Sequence, residues 1–434
     1  MNRTKLQQHV ALVAVAALLL GACPARADVV TDWNVKVCEV MVEAGLGAPP
    51  ANRIMAIVHT AVYEAVNAIT RRYPAGTLRL EAPPGASVEA AVAAANHAAL
   101  LALVPSQKAA IDATYEAALA RIADAPAKSA GLAIGQSAAA ALLALRAGDG
   151  AAAGEAYRPR VTAGVYVPTV IPAVPQWPQR KPWLLESPAQ FRPGPPPDLA
   201  SAIWARDYDE VKDCGGKAST RRTAEETAIA RFWEATLPPI YHGIVRSVAA
   251  APGREITENA RLFATVSQAM DDALIAVMDA KYHYQFWRPI TSIRNGDIDG
   301  NDLTERDGAW TPLIDTPMHP EYPCAHCILS GVVGTVLEAE IGSGPAPVTT
   351  TSYTAPGTTR SWGKLDDFVR EVANARIYAG VHYRNSTEVG TAMGRRIGTL
   401  AVAEYGRPVQ KAATSSVEQA GLRAADVPSE TRGR

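Results

Sequence analysis

Three separate stretches of the sequence bring together side chains that could hold and transform an oxyanion. The first carries Lys281 and Arg288, the second ends in His326, and the third carries Arg376 and His382. An arginine presents a forked set of donors that suits a tetrahedral anion. A histidine can give or take a proton near neutral pH, or act as a nucleophile or a ligand. These residue types predict an oxyanion pocket, provided that the fold brings the three stretches together.

The first stretch ends a predicted helix over residues 258–287. Continuing its apolar stripe along the helix reaches Lys281 and Arg288, which are seven residues apart and so lie within about 20° of each other around a helix. Two buried cations on one face would require an anion between them. In the alternative interpretation the helix ends near Ala280 and both cations are solvated. Pro289 marks the helix end in either case. The stripe consists of Leu262, Val266, Met270, Leu274 and Val277.

The second stretch, residues 319–326, contains Pro320 and Pro323 and predicts a rigid turn. The small and apolar residues from Cys327 to Val336 predict a helix directly after it. A helix N-terminus offers free N–H groups and the positive end of a dipole, which suit an oxyanion. His326 would then stand at the anion. The alternative is an ordinary histidine in a first helical turn.

The third stretch places Arg376 and His382 six residues apart, which is about 120° around an ideal helix. They can converge only if the helix breaks, for which Gly380 is the candidate, or if Arg376 reaches far. Otherwise each is a solvated surface residue. The spacing alone leaves both possibilities open.

Taken together, the three patterns resemble the type 2 phosphatidic acid phosphatase/vanadium haloperoxidase superfamily. They are Lys-x6-Arg-Pro at 281–289, Pro-x-x-His at 323–326 and Arg-x5-His at 376–382. Their surroundings resemble the haloperoxidase branch more than the lipid phosphatases. Phe286-Trp287-Arg288-Pro289, His319-Pro320-Glu321-Tyr322-Pro323 and Gly380-Val381-His382-Tyr383-Arg384 are such stretches. The similarity spans roughly residues 30–405, and three linked motifs in this order rarely arise by chance.

The resemblance implies a role for each residue of the pocket. Lys281, Arg288 and Arg376 would neutralise the equatorial oxygens of vanadate or phosphate, and Cys324 and Ala325 would also bind the anion. His382 would be the axial vanadium ligand, or the nucleophile towards phosphorus. His326 would be the general acid–base. His319 occupies the position that helps set halide preference, where histidine resembles bromide-type enzymes.

Two departures from the family pattern concern the chemistry of the pocket. The usual Pro-Ser-Gly-His reads Pro323-Cys324-Ala325-His326, so a thiol, a weaker donor, replaces a hydroxyl. The usual aspartate four residues after the last histidine is Ser386 here. That aspartate orients the histidine, and Glu388 is the candidate substitute.

The resemblance implies a haloperoxidase that oxidises bromide or iodide with hydrogen peroxide at bound vanadate. An exported acid phosphatase acting on phosphomonoesters through a phosphohistidine is the first alternative. The departures at Cys324 and Ser386 leave a non-catalytic oxyanion-binding protein as a further one. The Cys324-x-x-Cys327 pair also permits a thiol oxidoreductase, although no βαβ pattern accompanies it.

Ala-rich helical periodicity with few alternating β-branched runs predicts an all-α protein, a single large domain with two helical layers. We expect a signal peptide at 1–27, an N-terminal layer at 28–156 and a Pro-rich connector at 157–200. A C-terminal core containing the anion site follows at 201–406, then a disordered tail at 407–434. Trp177, Trp183 and Phe191 would pin the connector to the helices, and Ser87 and Ser129 would be helix N-caps.

The first 27 residues predict export to the periplasm or the medium. Leu20-Gly21-Ala22-Cys23 alternatively resembles a lipoprotein box. The net charge of −1 without a basic run argues against a nucleic acid partner. We expect small-molecule substrates (hydrogen peroxide, halide or phosphate ester) and no transmembrane helix in the mature protein. A homo-oligomer is compatible with the sequence. The four cysteines after residue 27 do not form a disulfide framework, although one bridge is open.

Overall fold

The computed structural model describes residues 28–405. The all-α prediction is confirmed, because this part of the chain forms thirteen α-helices and a single two-stranded hairpin. The predicted signal peptide, the Cys23 lipoprotein alternative and the tail predicted for 407–434 lie outside the described residues. The division into layers and connector stays a prediction.

The helices follow one another as α1 Val29–Glu43, α2 Ala48–Thr70, α3 Val88–Leu103, α4 Lys108–Leu119, α5 Pro126–Arg146, α6 Ala202–Gly215, α7 Ala224–Phe232, α8 Pro238–Ala249, α9 Ile256–Tyr284, α10 Pro289–Arg294, α11 Ala325–Ile341, α12 Leu365–Tyr378 and α13 Arg384–Tyr405. Strands β1 Val348–Ser352 and β2 Ala355–Trp362 pair antiparallel between α11 and α12.

Helix α9 is the central element and packs against α2, α11 and α13. Its predicted apolar stripe is buried, from Leu262 to Val277. A capping box between Glu255 and Glu258 fixes its start, because each side chain accepts the other's backbone N–H. Lys281 lies in the last turn of this helix.

Two N-cap predictions had different outcomes. Ser87 caps α3 as predicted and accepts the N–H of Ala90. Ser129 is not an N-cap, because α5 begins at Pro126 with Ala125 at the cap position. Proline suits the first helical position, where its missing N–H costs nothing and its φ is already helical.

Glycines allow α11 and α13 to pack closely. A Cβ on Gly390 or Gly394 of α13 would collide with the carbonyl oxygens of Cys324 and Ile328, respectively. The close approach brings the N-terminus of α11 beside the start of α13, where the Cys324 N–H donates to the Ser386 carbonyl over 3.1 Å. Two of the three predicted stretches meet at this point.

The Pro-rich connector is attached to α9 by two buried carboxylates. Asp272 accepts the backbone N–H groups of Trp183, Leu184 and Leu185 at 2.7–2.9 Å. Asp271 accepts from Arg180 and from the indole of Trp183. Burial raises the pKa of Asp272 to about 6 against the opposing effect of its three N–H donors. The expected pinning by Trp183 is thus confirmed.

One helix of the described part, Pro126–Arg146, is long and apolar enough to cross a membrane, and a third of its apolar window is buried inside the protein. The bent pair Val88–Leu103 and Pro105–Leu119 also qualifies if it is counted as one span. Core helices of soluble proteins satisfy the same test. The expectation of no transmembrane helix therefore stays a prediction.

Candidate oxyanion site

Lys281 and Arg288 do not share a helix, which corrects the prediction of a helix to residue 287. Helix α9 ends at Tyr284, and Gln285 has a left-handed conformation with φ of 51°. The alternative of two solvated cations is also wrong, because both side chains are buried. Pro289 does not end α9 but begins α10, for which Arg288 is the N-cap residue.

The connector holds the segment between the two cations. Val165 forms a β-bridge with Phe286, and the Tyr166 N–H donates to the Gln285 carbonyl over 2.7 Å. The Trp287 N–H donates to the Gly164 carbonyl over 3.0 Å. Since these bonds fix the turn after α9, they determine where Arg288 can point.

Lys281 and Arg288 are both held by backbone carbonyls of the other two stretches. Lys281 Nζ donates to the carbonyls of Pro320 and Glu321 over 3.0 and 2.7 Å. Arg288 donates to the carbonyls of His319 and Val381 over 2.9 and 2.7 Å. Burial lowers the pKa of Lys281 well below its usual value and that of Arg288 to about 10. Both cations are therefore positioned without a carboxylate partner of their own.

The turn before α11 delivers His326 as predicted. Cys324 is the N-cap, and its sulfur accepts the Cys327 N–H over 3.3 Å, so the helix starts two residues earlier than expected. His326 is buried, and its Nε2 lies 3.2 Å from the Ala235 carbonyl. Burial, followed by the charge of Arg376, lowers its pKa well below the usual value. Nε2 therefore carries the proton and donates to Ala235, which leaves Nδ1 as the basic atom.

The helix that carries Arg376 breaks before His382, as the convergence of the two residues requires. Helix α12 ends at Tyr378, and Gly380 has φ of 78°. A Cβ on Gly380 would collide with the carbonyl oxygen of Gly215. Arg376 Nη1 donates to the Trp233 carbonyl over 2.7 Å, whereas its buried Nε has no partner. Burial lowers the pKa of Arg376.

A carboxylate that the sequence analysis did not select orients His382. Glu321 Oε1 lies 2.7 Å from His382 Nδ1 and also accepts the Tyr383 N–H over 3.1 Å. Glu388, the expected substitute for the missing aspartate, is exposed on α13 and does not take that role. Ser386 Oγ lies 3.5 Å from His382 Nδ1, so the serine is only a weak partner.

The pKa directions of this buried pair favour a neutral imidazole. Burial, followed by Arg288 and Lys281, lowers the pKa of His382 well below its usual value. Burial raises the pKa of Glu321 to about 7. The imidazole is thus neutral and donates its Nδ1–H to Glu321, while Nε2 keeps a lone pair 3.3 Å from Arg288 Nη1. The Nε2 atom of His382 is therefore the one that could attack phosphorus or bind vanadium.

His319 and Ala325 lie on the partly exposed side of the site. His319 Nδ1 is 3.0 Å from Arg288 Nη2 and 3.1 Å from the Pro320 carbonyl. Arginine is always a donor, so Nδ1 accepts from Arg288, and the carbonyl contact is not a hydrogen bond. Burial, then Lys281 and Arg288, lowers the pKa of His319 well below its usual value. A neutral histidine therefore flanks the cations.

Cys324 and Cys327 are free thiols, as are the other two cysteines of the described part. Burial raises the pKa of Cys324, but a hydrogen bond with Cys327 and the charge of Arg376 outweigh it and leave the pKa lowered. The disulfide that the sequence left open is not formed.

The sequence analysis missed two kinds of functional group. Glu321 lies within the second stretch, residues 319–326. The feature that could have identified it is an acidic residue between two prolines in an otherwise buried turn. The backbone carbonyls that hold the cations, such as those of Trp233 and Val381, cannot be recognised from residue type. Their roles depend only on where the backbone passes.

The donor set fits a tetrahedral oxyanion of the size of phosphate or vanadate. Lys281, Arg288 and Arg376 are all buried, the charges of Lys281 and Arg288 act on Glu321, and the Nε of Arg376 is an orphaned donor. Within residues 28–405, no three His, Cys, Asp or Glu side chains are placed to hold a bare metal ion. The three buried cationic donors make the site complementary to an anion. We refer to Lys281, Arg288, Cys324, Arg376 and His382 as the oxyanion cage.

Comparison with known families supports the resemblance inferred from the motifs. A family model described as the VCPO second helical-bundle domain matches residues 261–411, which contain the whole cage. A vanadium chloroperoxidase from Curvularia inaequalis is 29% identical over 176 residues, covering 33% of this chain. The match spans 28% of that relative's length.

Solved structures share the architecture over most of the chain. A bacterial vanadium-dependent iodoperoxidase superposes with a TM-score of 0.74 and 26% identity, covering 86% of this chain and 95% of the other. The holo form of a bacterial vanadium-dependent chloroperoxidase gives a TM-score of 0.66 at 19% identity, covering 83% and 93%, which supports the fold alone. The resemblance to the haloperoxidase branch and the helical-bundle fold are thus both confirmed.

Proposed function

Because residues 261–411 carry the second helical-bundle domain of the VCPO type, we propose that this protein is a vanadium-dependent haloperoxidase-like enzyme. It would oxidise bromide or iodide with hydrogen peroxide at vanadate held in the oxyanion cage. The likeness to a bacterial iodoperoxidase along most of both chains supports this assignment over the phosphatase.

The charge imbalance of the cage is the observation that carries the proposal. Three cationic side chains are buried here, and the carboxylate of Glu321 raises the pKa of two of them, Lys281 and Arg288, against the effect of burial. Unpaired buried charge is costly, and burial has already lowered the pKa of Lys281, Arg288 and Arg376. An oxyanion would restore neutrality, and Arg376 Nε would find in it the partner that it lacks.

His382 is the residue that would anchor vanadate. Its Nδ1–H is donated to Glu321, which fixes the direction of the Nε2 lone pair. That lone pair accepts from Arg288 Nη1 over 3.3 Å, and a bound anion would take the place of this contact. Bound vanadate would supply Lewis-acid activation of the peroxide. His326 would accept the proton that peroxide loses, since its Nδ1 is left basic by the bond from Nε2 to the Ala235 carbonyl.

We further propose His319 as the residue that faces the halide. It is partly exposed and neutral, and it is oriented by Arg288 Nη2 at 3.0 Å. An N–H at its Nε2 would then be free to meet a halide beside the cage. Cys324 and Ala325 would complete the anion contacts at the helix N-terminus.

Phosphomonoester hydrolysis is the second candidate function, and the His382–Glu321 pair favours it specifically. A carboxylate-oriented histidine whose second nitrogen carries a lone pair is also the arrangement of a nucleophile for phosphoryl transfer. The non-catalytic alternative rested partly on the missing aspartate at Ser386, and Glu321 now supplies that carboxylate. Vanadate-dependent halide oxidation therefore stands first, and phosphate ester hydrolysis second.

Paired assays on one preparation test the choice. The purified protein is loaded with vanadate and tested with hydrogen peroxide for dye bromination and triiodide formation, and the unloaded protein is tested for release of an aryl phosphate's phenol. We expect vanadate-dependent halide oxidation. If the protein hydrolyses the aryl phosphate but oxidises no halide, the haloperoxidase assignment is overturned.

Two variants decide whether the activity belongs to the cage. His382→Ala removes the lone pair of Nε2 and should abolish halide oxidation, whereas His283→Ala changes an exposed histidine near the end of α9 and should not. Both variants are checked for folding by thermal unfolding. Activity that survives in folded His382→Ala protein would show that the assay reports another site.

Export to the periplasm or the medium, with lipid attachment at Cys23 as the alternative, belongs to the same proposal. Hydrogen peroxide, halide or a phosphate ester would be the small-molecule substrates, with no nucleic acid partner and with a homo-oligomer open. Cell fractionation followed by N-terminal sequencing tests this part, since a mature chain beginning at Asp28 is expected for soluble export. A chain that keeps residues 1–27 in the cytoplasm would contradict it.

A further inference from the structure

Two thiols lie together on the wall of the oxyanion cage, and the proposed chemistry assigns Cys324 an anion contact but gives neither thiol a redox role. Cys324 is the N-cap of α11, and Cys327 follows in the same first turn. The Cys327 N–H donates to Cys324 Sγ over 3.3 Å, and both side chains are fully buried and reduced. Residues three apart at a helix start share one face, so their sulfur atoms are neighbours.

The surroundings of Cys324 are electropositive. The charges of Arg376 and Lys281 act on its sulfur, which also sits at the positive end of the α11 dipole. Reactive cysteines are found in such places, next to arginine or lysine at helix N-termini and in Cys-x-x-Cys pairs. The other two cysteines within residues 28–405, Cys38 and Cys214, have no cysteine beside them in the chain and are free.

We propose that Cys324 and Cys327 form a peroxide-oxidisable dithiol that is reached through the oxyanion cage. Hydrogen peroxide, the oxidant of the proposed reaction, would then also change the affinity of the cage for an oxyanion. The proposal rests on the proposed function only for the source of hydrogen peroxide. Its geometry is that of the first turn of α11 and does not depend on vanadate.

The chemistry is balanced by one molecule of hydrogen peroxide. The sulfur of Cys324 attacks one peroxide oxygen, an S–O bond forms as the O–O bond breaks, and the leaving hydroxide takes the thiol proton to become water. Cys327 then attacks the sulfenic sulfur. The S–S bond forms as the S–O bond breaks, and the second oxygen leaves as water with the Cys327 proton. The two sulfurs are oxidised and the peroxide is reduced to two waters.

Two consequences for the cage follow from this step. A disulfide has no S–H, so an oxyanion would lose the donor at Cys324 and bind more weakly. Conversely, a bound anion would shield the sulfur. Phosphate at about tenfold its Kd leaves about one cage in ten free and should slow oxidation about tenfold.

The test uses the full-length protein without vanadate. It is treated with graded hydrogen peroxide, with and without inorganic phosphate, then alkylated, and its cysteine peptides are analysed by mass spectrometry. We expect the peptide holding both Cys324 and Cys327 to lose two hydrogen atoms and resist alkylation, more slowly with phosphate. Calorimetry should show weaker phosphate binding after oxidation, restored by a reductant.

Matched variants make the result specific. Cys327→Ser should leave Cys324 as a sulfenic acid that reacts with dimedone and forms no disulfide, whereas Cys214→Ser should oxidise like the wild type. The proposal is overturned if both thiols stay alkylatable in excess peroxide, if Cys324 pairs with another cysteine, or if phosphate leaves the rate unchanged. Failure of halide oxidation would not affect these readouts, because they measure thiols and phosphate alone.

Discussion

Glu321 Oε1 lies 2.7 Å from His382 Nδ1, across 61 residues of sequence, and both side chains are buried. The carboxylate occupies the role that the sequence motif assigns to a residue four positions after the histidine. It fixes the tautomer of His382 and aims the Nε2 lone pair into the cage. In this chain the carboxylate that orients His382 therefore lies in the turn before α11 and not on α13.

Replacing Glu321 with glutamine should weaken vanadate binding and halide oxidation about 10- to 100-fold, the usual cost of losing a ligand's orienting partner. Glu321→Asp should recover part of the loss, because it keeps the charge. Glu388→Gln is the matched control on the exposed face of α13 and should behave like the wild type.

Separate Kd, KM and kcat values distinguish positioning from general damage. A Glu321→Gln protein that unfolds normally but shows wild-type vanadate affinity would refute the positioning role. Equal losses in the Glu388→Gln control would refute it as well.

Gly380 is expected to be required for the convergence of Arg376 and His382. Gly380→Ala meets strain from the positive φ of 78° and a collision with the Gly215 carbonyl. Gly357→Ala is the matched control, since Gly357 has the same φ but open space around it. The control should lose about 1 kcal/mol of unfolding free energy, and Gly380→Ala should lose clearly more together with its oxyanion affinity.

Denaturant unfolding and phosphate calorimetry on both variants check this expectation. Similar destabilisation by the two alanines, with the oxyanion affinity of Gly380→Ala intact, would show that the close contact with Gly215 does not set the geometry of the site.

Features of this site that depend on short sequence spacing could be predicted from the sequence, and features that depend on contacts between distant stretches could not. The three stretches could be found because residue type and short spacing carry them, and the break at Gly380 was anticipated on helical geometry alone. The end of α9 at Tyr284 could not be found, since the connector's bonds to Gln285 and Trp287 determine the path there. Glu321 was missed because its partner lies in another stretch, and only the fold brings Glu321 and His382 together.

Two buried histidines should make the protein less stable in acid. His59 and His242 each accept a hydrogen bond from Asn34 in the core, and burial lowers the pKa of His59 to about 3 and that of His242 well below its usual value. The folded protein keeps both rings neutral, whereas the unfolded chain protonates them below about pH 6.5. Stability is therefore full above that pH and falls as the pH drops towards 3.

The slope should approach about 1.4 kcal/mol per pH unit for each histidine. Urea unfolding between pH 7 and pH 5 measures it. His59→Gln should flatten the slope by one histidine's share, and His283→Gln, an exposed control, should not. An unchanged slope in His59→Gln would mean that the acid sensitivity arises elsewhere.

Asp272 should be a strong point of attachment for the connector. Its carboxylate accepts three backbone N–H groups, and Asp272→Asn replaces one acceptor oxygen with a donor that faces Leu184 and Leu185 or Trp183. An unsatisfied buried group costs about 1–3 kcal/mol. Limited proteolysis within 157–200 should accelerate in this variant and stay normal in Asp302→Asn, an exposed control. Unchanged cleavage would contradict the role of Asp272.

The most direct test of the account is vanadium retention by the purified protein. The chain is loaded with vanadate, separated from free vanadate by gel filtration, and its vanadium content is measured beside that of folded His382→Ala protein. We predict retention of one vanadium per chain by the wild type and loss of most of it in the variant. Failure of the wild type to retain vanadium, or equal retention by the variant, would contradict the assignment of the oxyanion cage.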